Sequence, residues 1–286
     1  MVDRSGQVQA LSEPMRWGNG RLSPDGKRVA NIIRDTTSHD VWILEIARRT
    51  LTRLTLQGAE QGSPVIWTPD GKRVTFSTRQ EGKPGIYWMR ADGTSRPELL
   101  VESDVVQYPS SWSPDGKMLV YEQPAADKKP HLWVLPVSAN GAAGPPRPMR
   151  ESPSGEDGGR VSPDGRWIVF GSVESGREIY VQPFPGPGPM LRISTNGGSN
   201  PRWSHSGREI FYWEGDVPFR LMSVAFPAGP SPTPGNPRKL FDIAAGTTFD
   251  VFPDDNHFLV EAAHISMEVI DNWFDELRRR LPPTGK

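Results

Sequence analysis

The chain contains no cysteine, which removes disulfide bridges, thiolate catalysis and zinc–thiolate sites in one step. That absence leaves the compartment open, because oxidising and reducing spaces both tolerate cysteine-free chains. An excess of charge of one sign is also missing. With 33 basic against 34 acidic residues the formal net charge is -1, so no bulk field draws the protein to nucleic acid or to an anionic membrane. No apolar run reaches the length of a membrane span, and Met1 to Gly6 are polar, without the apolar centre of a secretion signal. These absences predict a soluble chain with no nucleic-acid partner and no membrane insertion of its own. Histidine is scarce, and His39, His131, His205, His257 and His264 form neither a His-Glu-x-x-His helix nor a His-x-His pair. A Gly-x-Ser-x-Gly elbow is lacking too, and the chain has no room for an α/β-hydrolase sheet, which argues against peptidase chemistry.

What is abundant is punctuation: 30 Pro and 29 Gly in 286 residues suit many short strands joined by tight turns. The punctuation is periodic. Ser-Pro-Asp-Gly stands at Ser23–Gly26, Ser113–Gly116 and Ser162–Gly165, with Thr-Pro-Asp-Gly at Thr68–Gly71 and degenerate copies at Ser204–Gly207 and Phe252–Asp255. The third residues, Asp25, Asp70, Asp115, Asp164, Ser206 and Asp254, are spaced by 45, 45, 49, 42 and 48 positions. Repeats in the forties with a strand on each side of a turn are the mark of four-stranded propeller blades. Proline sets φ, Asp bonds its own downstream backbone and Gly takes the positive φ that closes the hairpin. The turn aspartates are therefore structural.

Apolar runs follow each turn, at Val29–Ile33, Val74–Phe76, Met118–Tyr121, Trp167–Phe170, Ile210–Trp213 and Phe258–Val260. Third strands are expected at Val41–Leu44, Ile86–Met89, Leu132–Leu135, Ile179–Gln182 and Leu221–Val224, and polar outer strands at Leu51–Thr55, Glu98–Val101, Met190–Ser194 and Arg238–Phe241. The Pro/Gly-rich stretches 139–149, 184–189 and 226–237 read as outer-rim loops. The fold class is thus all-β, one six-bladed β-propeller over residues 1–286, with 1–12 as closing strands, 13–270 as blades and 271–286 as a C-terminal helix and tail. The sixth blade has material for two strands and a possible third at Met267–Ile270, so Val2–Arg4 or Val8–Leu11 is predicted to complete it. Asn272–Leu281, with a cap candidate, early acids, late arginines and Trp273, Leu277 and Leu281 four apart, predicts a short amphipathic helix packed on the propeller.

Just ahead of each turn stands a large residue, Leu22, Trp67, Trp112, Val161, Trp203 or Val251, expected to pack blade on blade. One position earlier come Arg21, Ile66, Ser111, Arg160, Arg202 and Asp250. Equivalent inner-strand positions approach the axis, so Arg21, Arg160, Arg202 and Asp250 are candidate ligand-binding residues around one channel. The alternative is a set of inter-blade salt bridges, because buried charges are usually paired. The loops entering the inner strands add Asn19, Glu60, Gln61, Asp104, Gln107, Glu156, Asp157, Asn196 and Asn200. From these, Glu60, Asp104, Glu156, Asp157 and Asn200 are the candidates for an oxygen-ligand site, with a divalent cation in the channel as the one cofactor considered. Two functions stay open: a non-catalytic module binding a protein or small-molecule ligand at the channel mouth, and a metal-assisted esterase, lactonase or phosphotriesterase.

The Ser-Pro-Asp-Gly blades resemble TolB-type propeller repeats across essentially the whole chain. Val2–Gly6, Asp40-Val41-Trp42 followed by Leu51–Thr55, Gln182–Gly186, Pro201–Ser204 and Asn272–Leu277 together are similar to the propeller region that follows the kinase domain and membrane segment of many bacterial serine/threonine kinases. The resemblance implies a sensor or interaction module on the extracytoplasmic side of a bacterial membrane, part of a larger membrane-anchored kinase, with no catalytic residues to carry over. The chain departs from such kinases in having no glycine-rich phosphate loop, no His-Arg-Asp and no Asp-Phe-Gly, so kinase activity cannot reside in it. Its start at Met1 is expected to mark a fragment or a stand-alone homologue, and a longer parent would allow a seventh blade.

Overall fold

The protein is described here by a computed structural model covering residues 1–261 except 12–17, 35–37, 57, 61, 139, 151, 175, 187, 217, 230 and 244–247. The expected strand at Met267–Ile270, the helix at Asn272–Leu281 and the candidate Gln61 lie outside the described residues. After β1 (Val2–Asp3), blade one is β2 (Arg21–Leu22), β3 (Arg28–Arg34), β4 (His39–Glu45) and β5 (Thr50–Arg53). Blade two is β6 (Ile66–Trp67), β7 (Arg73–Gln80), β8 (Lys83–Arg90) and β9 (Glu98–Glu102). Blade three follows with β10 (Tyr108–Trp112), β11 (Met118–Pro124), β12 (Pro130–Pro136) and β13 (Arg147–Pro148). Blade four is β14 (Glu156–Val161), β15 (Trp167–Ser172), β16 (Glu178–Pro183) and β17 (Leu191–Arg192). The fifth is β18 (Ser199–Trp203), β19 (Glu209–Glu214), β20 (Phe219–Ala225) and β21 (Arg238–Ile243), and the sixth begins with β22 (Phe249–Val251) and β23 (His257–Val260). Each of the first five blades is an antiparallel sheet in chain order, and the sixth is ordered β1-β23-β22. Among the described residues no helix is long and apolar enough to cross a membrane.

The turn chemistry explains why the hairpins repeat. Ser23 Oγ donates to Asp25 Oδ1 at 2.5 Å and accepts the Arg28 N–H at 3.0 Å, while Asp25 Oδ1 also accepts the Lys27 N–H at 3.1 Å. The same set recurs at Thr68–Asp70, Ser113–Asp115 and Ser162–Asp164. In the fifth blade Ser206 replaces the aspartate, and Asp255 of the sixth blade accepts the His205 and Ser206 N–H groups at 2.6 and 3.0 Å. The degenerate turn is thus satisfied from the next blade.

Blade-on-blade packing comes from the alternating apolar faces of the strands. Six buried clusters occupy the six interfaces, from Ile32, Val41 and Phe76 between blades one and two to Leu22, Val29 and Leu44 at the seam of blades six and one. The large residue ahead of each turn does pack between blades. Trp67 Nε1 donates to the Arg21 carbonyl at 3.0 Å, Trp203 Nε1 to that of Arg160 at 2.9 Å, and Trp112 Nε1 to Thr75 Oγ1 at 3.0 Å.

The ring closes through the N-terminus. Val2 pairs with Phe258 and Asp3 with His257, which places β1 as the third strand of the last blade. Asp3 Oδ1 accepts the Ser5 and Gln7 N–H groups at 2.8 and 3.0 Å, turning the chain so that Val8 bridges Val2 on the outer edge. The expected closure by the N-terminal stretch is thus met by Val2 and Asp3, and Val8 joins the same blade through its bridge to Val2. Blade three also differs from expectation: β13 sits inside the stretch read as a rim loop, and Pro148 is tolerated because an outermost strand has one unpaired edge.

Candidate functional site

Three of the inner strands share a local device that aims an arginine at the axis. Two residues before each arginine the backbone is left-handed: Asn19 has φ 60°, Gly158 66° and Asn200 52°. Asn and Gly are the residues that reach this region at low cost. The pairing register slips across the same segment, between Asp157 and Arg160 and between Ser199 and Arg202, so the strand bulges immediately before the arginine. Each guanidinium then folds onto the preceding carbonyl: Arg21 Nη1 to Gly20 O at 3.0 Å, Arg160 Nη1 to Gly159 O at 2.9 Å, Arg202 Nη1 to Pro201 O at 2.7 Å. This backbone bond fixes the side chains in one pose.

The arginines meet around the axis with a partial set of countercharges. Asp250 Oδ1 lies 3.6 Å from Arg202 Nε, while its Oδ2 accepts the Leu22 N–H at 2.9 Å and so ties the sixth blade to the first. In the equivalent place Ser111 Oγ accepts the Val161 N–H at 2.9 Å. Arg21 Nη1 also reaches Thr248 Oγ1 at 3.1 Å, and Arg160 Nη1 reaches Ser110 Oγ at 2.7 Å. Arg21 and Arg202 are 8% and 4% exposed, whereas Arg160 is half-buried. Arg21 Nε and both Nε and Nη2 of Arg202 have no hydrogen-bond partner among the described residues.

Electrostatics mark the same cluster. Burial and the charge of Arg21 push Arg160 down to about 9, and burial with Arg21 and Arg160 pushes Arg202 well below its ordinary range. A guanidinium stays protonated at neutral pH, so the depression measures how poorly its charge is compensated. Two acids complete the lining. Glu122 on β11 accepts from the Gly158 N–H at 2.9 Å and from Ser110 Oγ at 3.3 Å, and Glu261 accepts the Asn19 N–H at 2.9 Å. Burial pushes both upward, with the charge of Asp157 adding to the effect on Glu122.

Arg21, Arg160, Arg202 and Asp250 are thus brought together as the offset from the turn predicts. The five oxygen-ligand candidates are not. Glu60 pairs with Arg79 at 2.6 Å, and Asp157 with Arg177 at 2.7 Å. Glu156 lies 3.3 Å from His131 Nδ1 and 3.8 Å from Arg150 Nε, Asp104 is exposed, and Asn200 serves as the left-handed residue of its bulge. Among the described residues no group of three His, Asp or Glu side chains stands close enough to hold a metal ion. Glu122 and Glu261 escaped the sequence reading. Their signal was faint: Glu122 directly continues the apolar run Met118–Tyr121 of a strand. The Asn/Gly-x-Arg spacing before Leu22, Val161 and Trp203 was a clearer sign, and it also went unread.

A family model described as "TolB beta propeller domain" matches residues 5–141. Among solved structures the chain is similar to a protein assigned to TolB from Agrobacterium tumefaciens, with 23% identity, a TM-score of 0.72, and 88% of this chain and 92% of that one covered. It is also similar to TolB from Acinetobacter baumannii, with 18% identity, a TM-score of 0.61 and coverage of 79% and 57%. The oligogalacturonate lyase from Vibrio parahaemolyticus shares 11% identity at a TM-score of 0.60, covering 94% and 78%. No curated protein matches the chain. At these identities the structural likeness speaks for the fold alone. The matched segment runs from before blade one to the third strand of blade three, the later blades repeat the same plan, and the chain is a six-bladed β-propeller whose first half matches the TolB beta propeller domain.

Proposed function

We propose that the chain is a non-catalytic binding module that takes a protein or small-molecule ligand at the mouth of its central channel. The observation that carries this reading is the convergence of fixed guanidinium groups from three blades, two of them buried and one half-buried, on one axis. Orienting a ligand needs such pre-set polar groups, whereas hydrolysis needs an activated nucleophile or a metal-bound water in addition. A binding panel of peptides, glycans and small anions against the purified chain tests the proposal, with saturable binding and no turnover expected. Chelator-sensitive hydrolysis of esters or lactones, lost on substitution of an axial residue, would overturn it in favour of a metal-assisted hydrolase.

A further inference from the structure

Resting on that reading, we infer that the ligand presents an oxyanion, a carboxylate or phosphate group, to Arg21, Arg160 and Arg202 at the propeller axis. The unpartnered N–H groups are the first ground. Arg202 Nε and Nη2 and Arg21 Nε are buried donors without acceptors among the described residues, and a buried donor left unmade costs far more than one satisfied. The second ground is repetition. A left-handed Asn or Gly and a bond to the preceding carbonyl recur at all three arginines, with a register slip at Arg160 and Arg202, and that bond engages only Nη1, leaving the rest of each planar fork to address an oxyanion.

Charge supplies a third ground. Asp250 is the only carboxylate in ion-pair contact with any of the three arginines among the described residues, and it stands at 3.6 Å, beyond hydrogen-bond length, with its other oxygen committed to Leu22. Burial pushes Glu122 and Glu261 upward, and neither forms an ion pair with any of the three arginines among the described residues. Arg160 is the one of the three that is not fully buried, and an anion would reach the cluster from its side. An oxyanion seated among the three forks accepts from the orphaned donors and replaces the missing charge.

The full chain is titrated calorimetrically at low ionic strength with inorganic phosphate, with succinate, and with an uncharged peptide and glycan panel. One saturable anion site is expected, with the succinate and phosphate arms telling a carboxylate from a phosphate preference. Arg202→Gln weakens it by about tenfold or more, the scale of one charged hydrogen bond, and Asp250→Asn tightens it by removing the competing carboxylate. Arg160→Gln repeats the loss at a half-buried position where folding is less at risk, with circular dichroism confirming the fold of each variant. Failure of both anions to bind, or binding indifferent to Arg160→Gln and Arg202→Gln, overturns the inference. If uncharged probes then still bind, the binding-module reading survives that failure; if nothing binds and esters turn over, both fall.

Discussion

Deleting residues 1–9 should open the ring at its last blade and lower the unfolding free energy by several kcal/mol, on the order of 3–5. Two separate contacts set that size. Val2 is 3% exposed in a cluster with Phe211, Trp213, Phe241, Phe249 and Phe258, and full burial of a valine is worth about 1.5–3 kcal/mol. Arg4 pairs with Glu209 at 2.5 Å, donates to the Asp255 carbonyl at 2.8 and 2.9 Å and lies over the Phe211 ring. Losing such charged hydrogen bonds costs about 1.5–3 kcal/mol more. The freed edge of β23 adds an unpaired ladder, and the entropy released by nine residues offsets part of the sum. Urea unfolding followed by tryptophan fluorescence reports on the break, since Trp213 is buried beside Val2. Val2→Ala and Arg4→Ala should each account for about 2 kcal/mol. A truncated chain with the parent's midpoint and slope would refute the closure mechanism, and would mean that β1 rests on blade six without holding it.

Acidification should tighten oxyanion binding. The groups facing the arginines are Glu122 of β11, Asp157 of β14, Asp250 of β22 and Glu261 after β23, and the two glutamates have folded pKa values raised above the ordinary 4.5. An acid with a raised folded pKa costs stability when ionised, and that cost is relieved as pH falls from neutral through the raised value. In the same window the countercharge fades while the arginines stay positive, so sulfate affinity should rise by about tenfold between pH 7.5 and 5; a flat or falling affinity would refute the assignment. At the fourth-blade kink, Gly158→Val should weaken phosphate binding and cost about 1–2 kcal/mol, because a β-branched residue resists φ near 66° and its Cβ would meet Pro201 at 3.2 Å; unchanged binding in calorimetry would count against the device. Gly26 and Gly116 have nearly equal φ of 69° and 70°, but an added Cβ at Gly26 meets Pro253 at 2.6 Å while one at Gly116 meets nothing within 4 Å. Gly26→Ala should therefore lose about 1–3 kcal/mol more than Gly116→Ala in thermal unfolding, and a reversed order would contradict the seam packing.

Blade number and strand order were legible because a four-residue turn is a local code. Ser23, Asp25 and Gly26 carry the hairpin by bonds spanning no more than five residues, so no tertiary information is needed to recognise it. Closure was legible by counting strands against blades. The outer strand Arg147–Pro148 was not, because its pairing is only two residues long and its Pro/Gly-rich surroundings imitate a loop. What makes it a strand is the waiting edge of β12, a property of its neighbour.

The axial arginines were legible for a different reason: a constant offset from the turn puts residues 181 positions apart, Arg21 and Arg202, into equivalent places. Offset alone predicts position and leaves orientation undetermined. Orientation here comes from the left-handed residue two places earlier, and the arginine blades are those that carry it: Asn19, Gly158 and Asn200 precede arginines, while Pro64, Pro109 and Thr248 precede Ile66, Ser111 and Asp250. Proline cannot take a positive φ at all. Blades two and three thus lack both the left-handed residue and the charge, so the guanidinium groups come from blades one, four and five, and Asp250 of blade six stands between the neighbours Arg202 and Leu22. A ring assembled from near-identical units has become polar across its axis through substitutions at two positions per blade. That asymmetry gives a bound oxyanion one side on which to lie, and it requires the ligand to approach the propeller in a defined orientation.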